Sequence, residues 1–253
     1  MSAVEVLLIA AVLVGMSVQG AIGFGFAFFV APAAFAAFPA AQAVMLVVLL
    51  GIAINCLVLF GEGRRAEVAA RATAVILGAA IPGMFVGAWV VTEVDHETLQ
   101  VLVGLIVLAG ALVQAFGRGA GDRPRRPGST DAPLLEIAGG FATGVLTTSV
   151  TVNGPVLVLT YSRLGLRGAL LRDSLAAALL GLSLSAAVIV ALVAGGEGAW
   201  PEGWVLIACI PAVLVGHRFG AGVFRRLDDG SHHRAALGAA ALAGLLSIGA
   251  AVL

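Results

Sequence analysis

Stretches without a single charged residue alternate along the chain with short polar pieces, and most are of membrane-crossing length. They cover 6–61, 72–92, 98–117, 137–162, 174–196 and 235–253, with a shorter one at 203–217 that continues past Arg218 to Phe224. A helix needs about 20 apolar residues to cross roughly 30 Å of hydrocarbon, because a backbone polar group left unsatisfied in lipid costs several kcal/mol. The first stretch is too long for one helix. Phe38-Pro39-Ala40 divides it into 6–37 and 41–61, since proline lacks the amide proton and clashes with the preceding turn. The pattern therefore predicts eight hydrophobic segments. The longest hydrophilic piece, 117–132, is rich in Gly, Arg and Pro and reads as a flexible linker.

Composition agrees: 60% of residues are hydrophobic and 11% charged, which excludes a soluble globule. Arg supplies all 14 cations, against 14 acids, so no basic excess exists to hold nucleic acid. Cys56 and Cys209 each lie inside an apolar run and read as small packing residues. Glu5 is the only early charge, so a cleaved signal peptide is not expected.

A shift of 129 positions aligns Gly15 with Gly144, Gly25 with Gly154, and Ile81 to Gly87 (I-P-G-M-F-V-G) with Ile210 to Gly216 (I-P-A-V-L-V-G). The chain thus divides into a first repeat at 1–116, the linker at 117–132 and a second repeat at 133–253. Arginine decides the topology, because cytoplasmic loops retain cations. The residues cluster at 64–71, 118–126, 163–172 and 218–234. If the 137–162 segment crossed once, seven Arg would fall on each side; if it enters and returns, all share one side. The re-entrant reading follows. It predicts an all-α membrane bundle of two inverted repeats, each a broken or re-entrant hairpin plus three transmembrane helices. By symmetry the first hairpin is 6–37, entering from the opposite face.

Both hairpins are interrupted by residues unusual at membrane depth: Ser17-Val18-Gln19-Gly20-Ala21-Ile22-Gly23-Phe24-Gly25, and Thr147-Thr148-Ser149-Val150-Thr151-Val152-Asn153-Gly154-Pro155. Such backbone is tolerated where it is buried in protein or lines a wet cavity. Two broken helices meeting there would turn amide N–H groups and positive dipole ends toward an anion. Gly, Ser and Thr also serve tight helix packing, but their recurrence in both halves favours a substrate lining. The expected lining residues are Gln19, Gly23, Gly25, Thr148, Ser149, Asn153 and Gly154. Asn55 reads as a helix bridge, Arg71 and His217-Arg218 as snorkelling ends, and Pro82 and Pro211 as sites of kinks and close helix contact. No span has a central Asp or Glu, which disfavours coupling through a carboxylate. No metal or cofactor is called for, and the Gly-x-Ser-x-Gly element of a hydrolase is absent.

These motifs resemble the TauE/SafE family of sulfite and organosulfonate exporters. The likeness rests on the two four-segment halves, on Gly20 to Pro32 and Gly144 to Pro155, on Gly63-Arg64-Arg65, and on the Gly83 and Gly87 spacing. The resemblance implies a multi-pass protein of the bacterial inner membrane that exports a small sulfur-containing anion, sulfite or a sulfonate such as sulfoacetate, by alternating access. Its partners would be that anion and the bilayer, with homo-oligomerisation left open. Import of related anions and a non-transporting scaffold are the alternative readings.

Overall fold

A computed structural model describes residues 3–109, 132–194 and 196–224, apart from 62, 96, 100, 104, 107 and 108. The expected linker lies almost wholly outside these residues, the 235–253 segment entirely, and the 98–117 segment largely. Among the described residues every regular element is helical: α1 (Ala3–Ile22), α2 (Phe26–Ala37), α3 (Ala40–Phe60), α4 (Ala70–Glu93), α5 (Ala132–Ser149), α6 (Gly154–Arg163), α7 (Gly168–Val193) and α8 (Gly203–Phe224), with a 3-10 turn at Gly196–Ala199. Four of them, α3, α4, α7 and α8, are long and apolar enough to cross a membrane.

The predicted division at Pro39 holds. Phe38 ends α2 in extended backbone and Pro39 precedes the first residue of α3, where its fixed φ and missing donor cost nothing. Each predicted interruption is also a break. α1 ends at Ile22 and the chain turns through Gly23 (φ 86°) and Gly25 (φ 109°) into α2. The second break, at 150–153, has no glycine before α6. Thr151 supplies its positive φ of 62°, a backbone state unusual for a β-branched residue.

The tightest pairings join a helix of the first half to one of the second: α4 lies along α5, and α1 along α8. A methyl placed on Gly83, Gly87, Gly140 or Gly144 would run into backbone of the facing helix across the α4/α5 seam. Glycine there lets the backbones approach, the device that membrane helices use when water supplies no driving force. Under the 129-residue shift α4/α5 maps onto α8/α1, where Gly216 and Gly220 press on Leu13 and Ser17. α3 packs against α7, with Gly51 against the Ser183 hydroxyl.

Polar ties gather one set of helix ends together. Arg64, in the loop after α3, donates to both carboxylate oxygens of Asp173 at 2.7 and 2.5 Å. The Glu67 amide adds a third bond to Asp173 at 2.8 Å, and the Ala69 amide donates to the Ser174 hydroxyl. At the start of α4, Thr73 meets the Tyr161 hydroxyl near the end of α6 at 2.8 Å, and Arg71 lies 3.6 Å from Glu136 in α5. Gly139, early in α5, packs against Thr160, late in α6, so α5 and α6 go out and come back.

Two sequence boundaries move. α5 begins before the charge-free run and takes Glu136 inside, where it is buried; α7 likewise takes in Arg172 and Asp173, both buried. Arg172, read from sequence as a loop cation, donates to the Gly20 carbonyl at 2.8 Å. It thereby caps the negative end of α1. His217 is also buried and does not snorkel. Trp89, Trp200 and Trp204 are exposed, as an aromatic belt at span ends requires.

Candidate functional site

Both breaks face one cavity of about 30 Å³. A single water needs roughly 10–15 Å³ of such space, so the cavity holds two or three waters, or a guest of a few heavy atoms. Its apolar wall includes Phe26, Phe28, Val47, Val48 and Leu179. Its polar wall is Gln19 from α1, Asn55 from α3, Thr147 from α5, Thr151 and Asn153 from the second break, and Ser183 from α7. None of the lining residues is charged.

The amides are aimed by bonds that leave part of their capacity unspent. Gln19 Nε2 donates to Asn55 Oδ1 at 2.9 Å, and Asn55 Nδ2 donates to the Gly51 carbonyl one turn earlier at 2.7 Å. Gln19 Oε1 also accepts from the Phe26 amide, at 3.3 Å across the first break. At the second break Asn153 Nδ2 donates to Thr147 Oγ1 at 2.7 Å, and Thr147 donates down its own helix to the Thr143 carbonyl at 2.6 Å. Each primary amide has two N–H donors. These bonds use one per amide, which leaves the second N–H of Gln19, Asn55 and Asn153 for a guest.

The helix N-termini contribute less than the sequence suggests. In α2 the Phe26 amide is bonded to Gln19 and the Phe28 amide to the Gly25 carbonyl at 3.1 Å; in α6 Pro155 has no amide proton. Their dipoles still point at the cavity, because Gly25 to Phe28 and Asn153 to Pro155 line it.

Of the residues expected from sequence, Gln19, Gly25, Asn153 and Gly154 line the cavity. Gly23, Thr148 and Ser149 do not. Gly23 shapes the turn and makes room for Arg172, whose Cγ would lie 2.7 Å from a methyl there. Thr148 donates to the Met84 carbonyl at 2.7 Å and so ties α5 to α4. Ser149 donates to the Val145 carbonyl of its own helix at 2.7 Å. Thr147 and Thr151 sit within the quoted polar segment, and the 3.6-residue period places Thr147 and Thr148 on different faces. Ser183 carried no local signal. Asn55 bridges helices as expected and lines the cavity as well.

Residues 7–248 match the family model described as Sulfite exporter TauE/SafE. No curated protein and no solved structure matches the chain.

Proposed function

The chain belongs to the sulfite exporter TauE/SafE family, a family of membrane transporters and not of enzymes, and from that premise we propose that it exports a small sulfur oxyanion or a short sulfonate across the bacterial inner membrane. The observation that carries this reading is the shared cavity. Two helix breaks related by the 129-residue shift converge on a space lined by neutral donors between α3 and α7. Neutral amides and helix dipoles attract a negative charge without the strong retention of a buried cation.

We read the two halves, 1–116 and 133–253, as inverted repeats. Two observations support this. The exchange of α4/α5 for α1/α8 under the repeat shift is what a two-fold relation produces. The packing of Gly139 against Thr160 supports a re-entrant hairpin; with the apolar runs 98–117 and 235–253 read as further crossings, each half would then have three, an odd number that inverts the second half. Anion exit is favoured by an inside-negative potential at about 2.3 kcal/mol per charge per 100 mV.

The test is counterflow of labelled sulfite and sulfoacetate in proteoliposomes. Wild-type protein should exchange at least one of them, and Asn153→Leu should abolish exchange while inserting normally. Full exchange by a well-inserted Asn153→Leu protein removes this cavity from the route.

A further inference from the structure

We infer that the Ser183 hydroxyl on α7 is an anion-binding donor, and that with the three amides around it the cavity selects a compact, singly charged oxyanion; the inference deepens the transport reading above and rests on it. Among the described residues three hydroxyls stand in the cavity wall, and they differ in what they have left to give. Thr147 spends its proton on the Thr143 carbonyl at 2.6 Å, and Thr151 on the Val150 carbonyl at 2.6 Å. Ser183 is 9% exposed and makes no hydrogen bond among the described residues. Buried polar groups are nearly always paired in folded proteins, and an exception asks for a reason.

Helix packing does not supply that reason. A serine inside a helix ordinarily satisfies itself on the carbonyl four residues earlier, as Ser17 does with Leu13 and Ser149 with Val145, both at 2.7 Å. Ser183 keeps its proton instead. Across from it α3 has Gly51, where a methyl would lie 3.0 Å from Ser183 Oγ. The bare glycine leaves the hydroxyl its place, and its carbonyl is the one that aims Asn55. A guest oxygen in the cavity completes the missing bond.

The amides present a known end to that guest, because each has a partner that can act in only one way. The Phe26 N–H can only donate, so Gln19 gives it Oε1 and turns Nε2 to Asn55. The Gly51 carbonyl can only accept, so Asn55 gives it Nδ2. Thr147 has already spent its proton, so Asn153 must donate to it through Nδ2. The spare N–H of each amide and the Ser183 hydroxyl make four neutral donors, on α1, α3, the second break and α7. Charge selection follows from their neutrality. The cost of taking an ion out of water rises as the square of its charge, about fourfold from one charge to two, whereas the return from fixed dipoles rises only in proportion to it. Size selection follows from the space, which admits a few heavy atoms. Sulfite meets that limit, and sulfoacetate has twice as many heavy atoms.

The experiment uses full-length protein in proteoliposomes, with counterflow of labelled sulfite at mildly acid pH, where sulfite keeps one proton, against unlabelled competitors. Methanesulfonate and sulfate share a tetrahedral sulfur and nearly the same size, and differ by one charge. Methanesulfonate should compete at least tenfold better than sulfate, and sulfoacetate should not compete. Ser183→Ala should raise the half-saturating sulfite concentration about tenfold, the scale of one hydrogen bond to a charged group, without lowering the maximal rate or the melting temperature. Ser185→Ala, on the same helix and outside the cavity wall, should match wild type. Sulfate competing as well as methanesulfonate overturns the inference, and so does wild-type half-saturation in Ser183→Ala. If Ser183→Ala melts early, Ser183→Cys keeps the shape with a weaker donor, and unchanged half-saturation there overturns it equally. A wild type that exchanges sulfoacetate but not sulfite keeps the transport reading and sinks this one. A wild type silent for sulfite, methanesulfonate and sulfoacetate removes both.

Discussion

Gln19 touches three parts of the protein at once. It sits near the end of α1, accepts from the first amide of α2 and donates to Asn55 in α3, so one side chain fixes both the angle of the first break and its distance from the crossing helix. Removing Asn55's amide leaves Gln19 Nε2 buried without that acceptor, which costs about 1–3 kcal/mol. Asn55→Leu should therefore lower the detergent-solubilised melting temperature and slow exchange; an unchanged melting curve would show that Gln19 finds another acceptor. Thr151 is the counterpart at the second break. Its positive φ costs on the order of 1–3 kcal/mol, where the first break uses glycine. Arg172 and Asp173 show the reverse of what charge implies: each is buried against a specific acceptor or donor.

Among the helices, the seam between α4 and α5 is set by glycine on both sides. Gly140 and Gly144 face α4 while Gly83 and Gly87 face α5, and added methyls would meet backbone oxygens that cannot rotate away. Gly144→Ala should cost about 1–3 kcal/mol of overpacking, seen as a lower melting temperature, with Gly78→Ala as a control because nothing lies within 4 Å of that position. Equal effects from the two would mean that the seam is loose. Much of this level was legible in the sequence: the division at Pro39, both breaks, and close helix contact at the Pro82 segment all follow from local chemistry. What packs on what was not legible, since hydropathy fixes the length of a helix and says nothing of its neighbour. Thr148 lies outside the cavity wall for a related reason, because polarity marks the segment but the helical period assigns its faces. Glu136 escaped because a charge-free run stops at the first acid, whereas a helix continues through an acid that can be buried.

Across the described residues, the arginine-bearing loops at 64–71 and 163–172 form one end. The loop after α3 is tied to the start of α7 through Asp173 and Ser174, and the start of α4 is tied to α5 and α6 through Glu136 and Tyr161. Single cysteines at Arg65 and Arg167, both exposed, should react with an impermeant maleimide from the same compartment, and one at Trp200 from the other. Arg65 and Arg167 labelled from opposite sides would dismantle the re-entrant arrangement. The uncharged cavity has a further consequence for physiology. A binding pocket without a fixed countercharge grips its cargo weakly and lets it go quickly, so throughput should track the internal load almost linearly instead of levelling off. On the proposed export reading, such a protein behaves as a relief valve, idle when its solute is scarce and fastest when it is abundant.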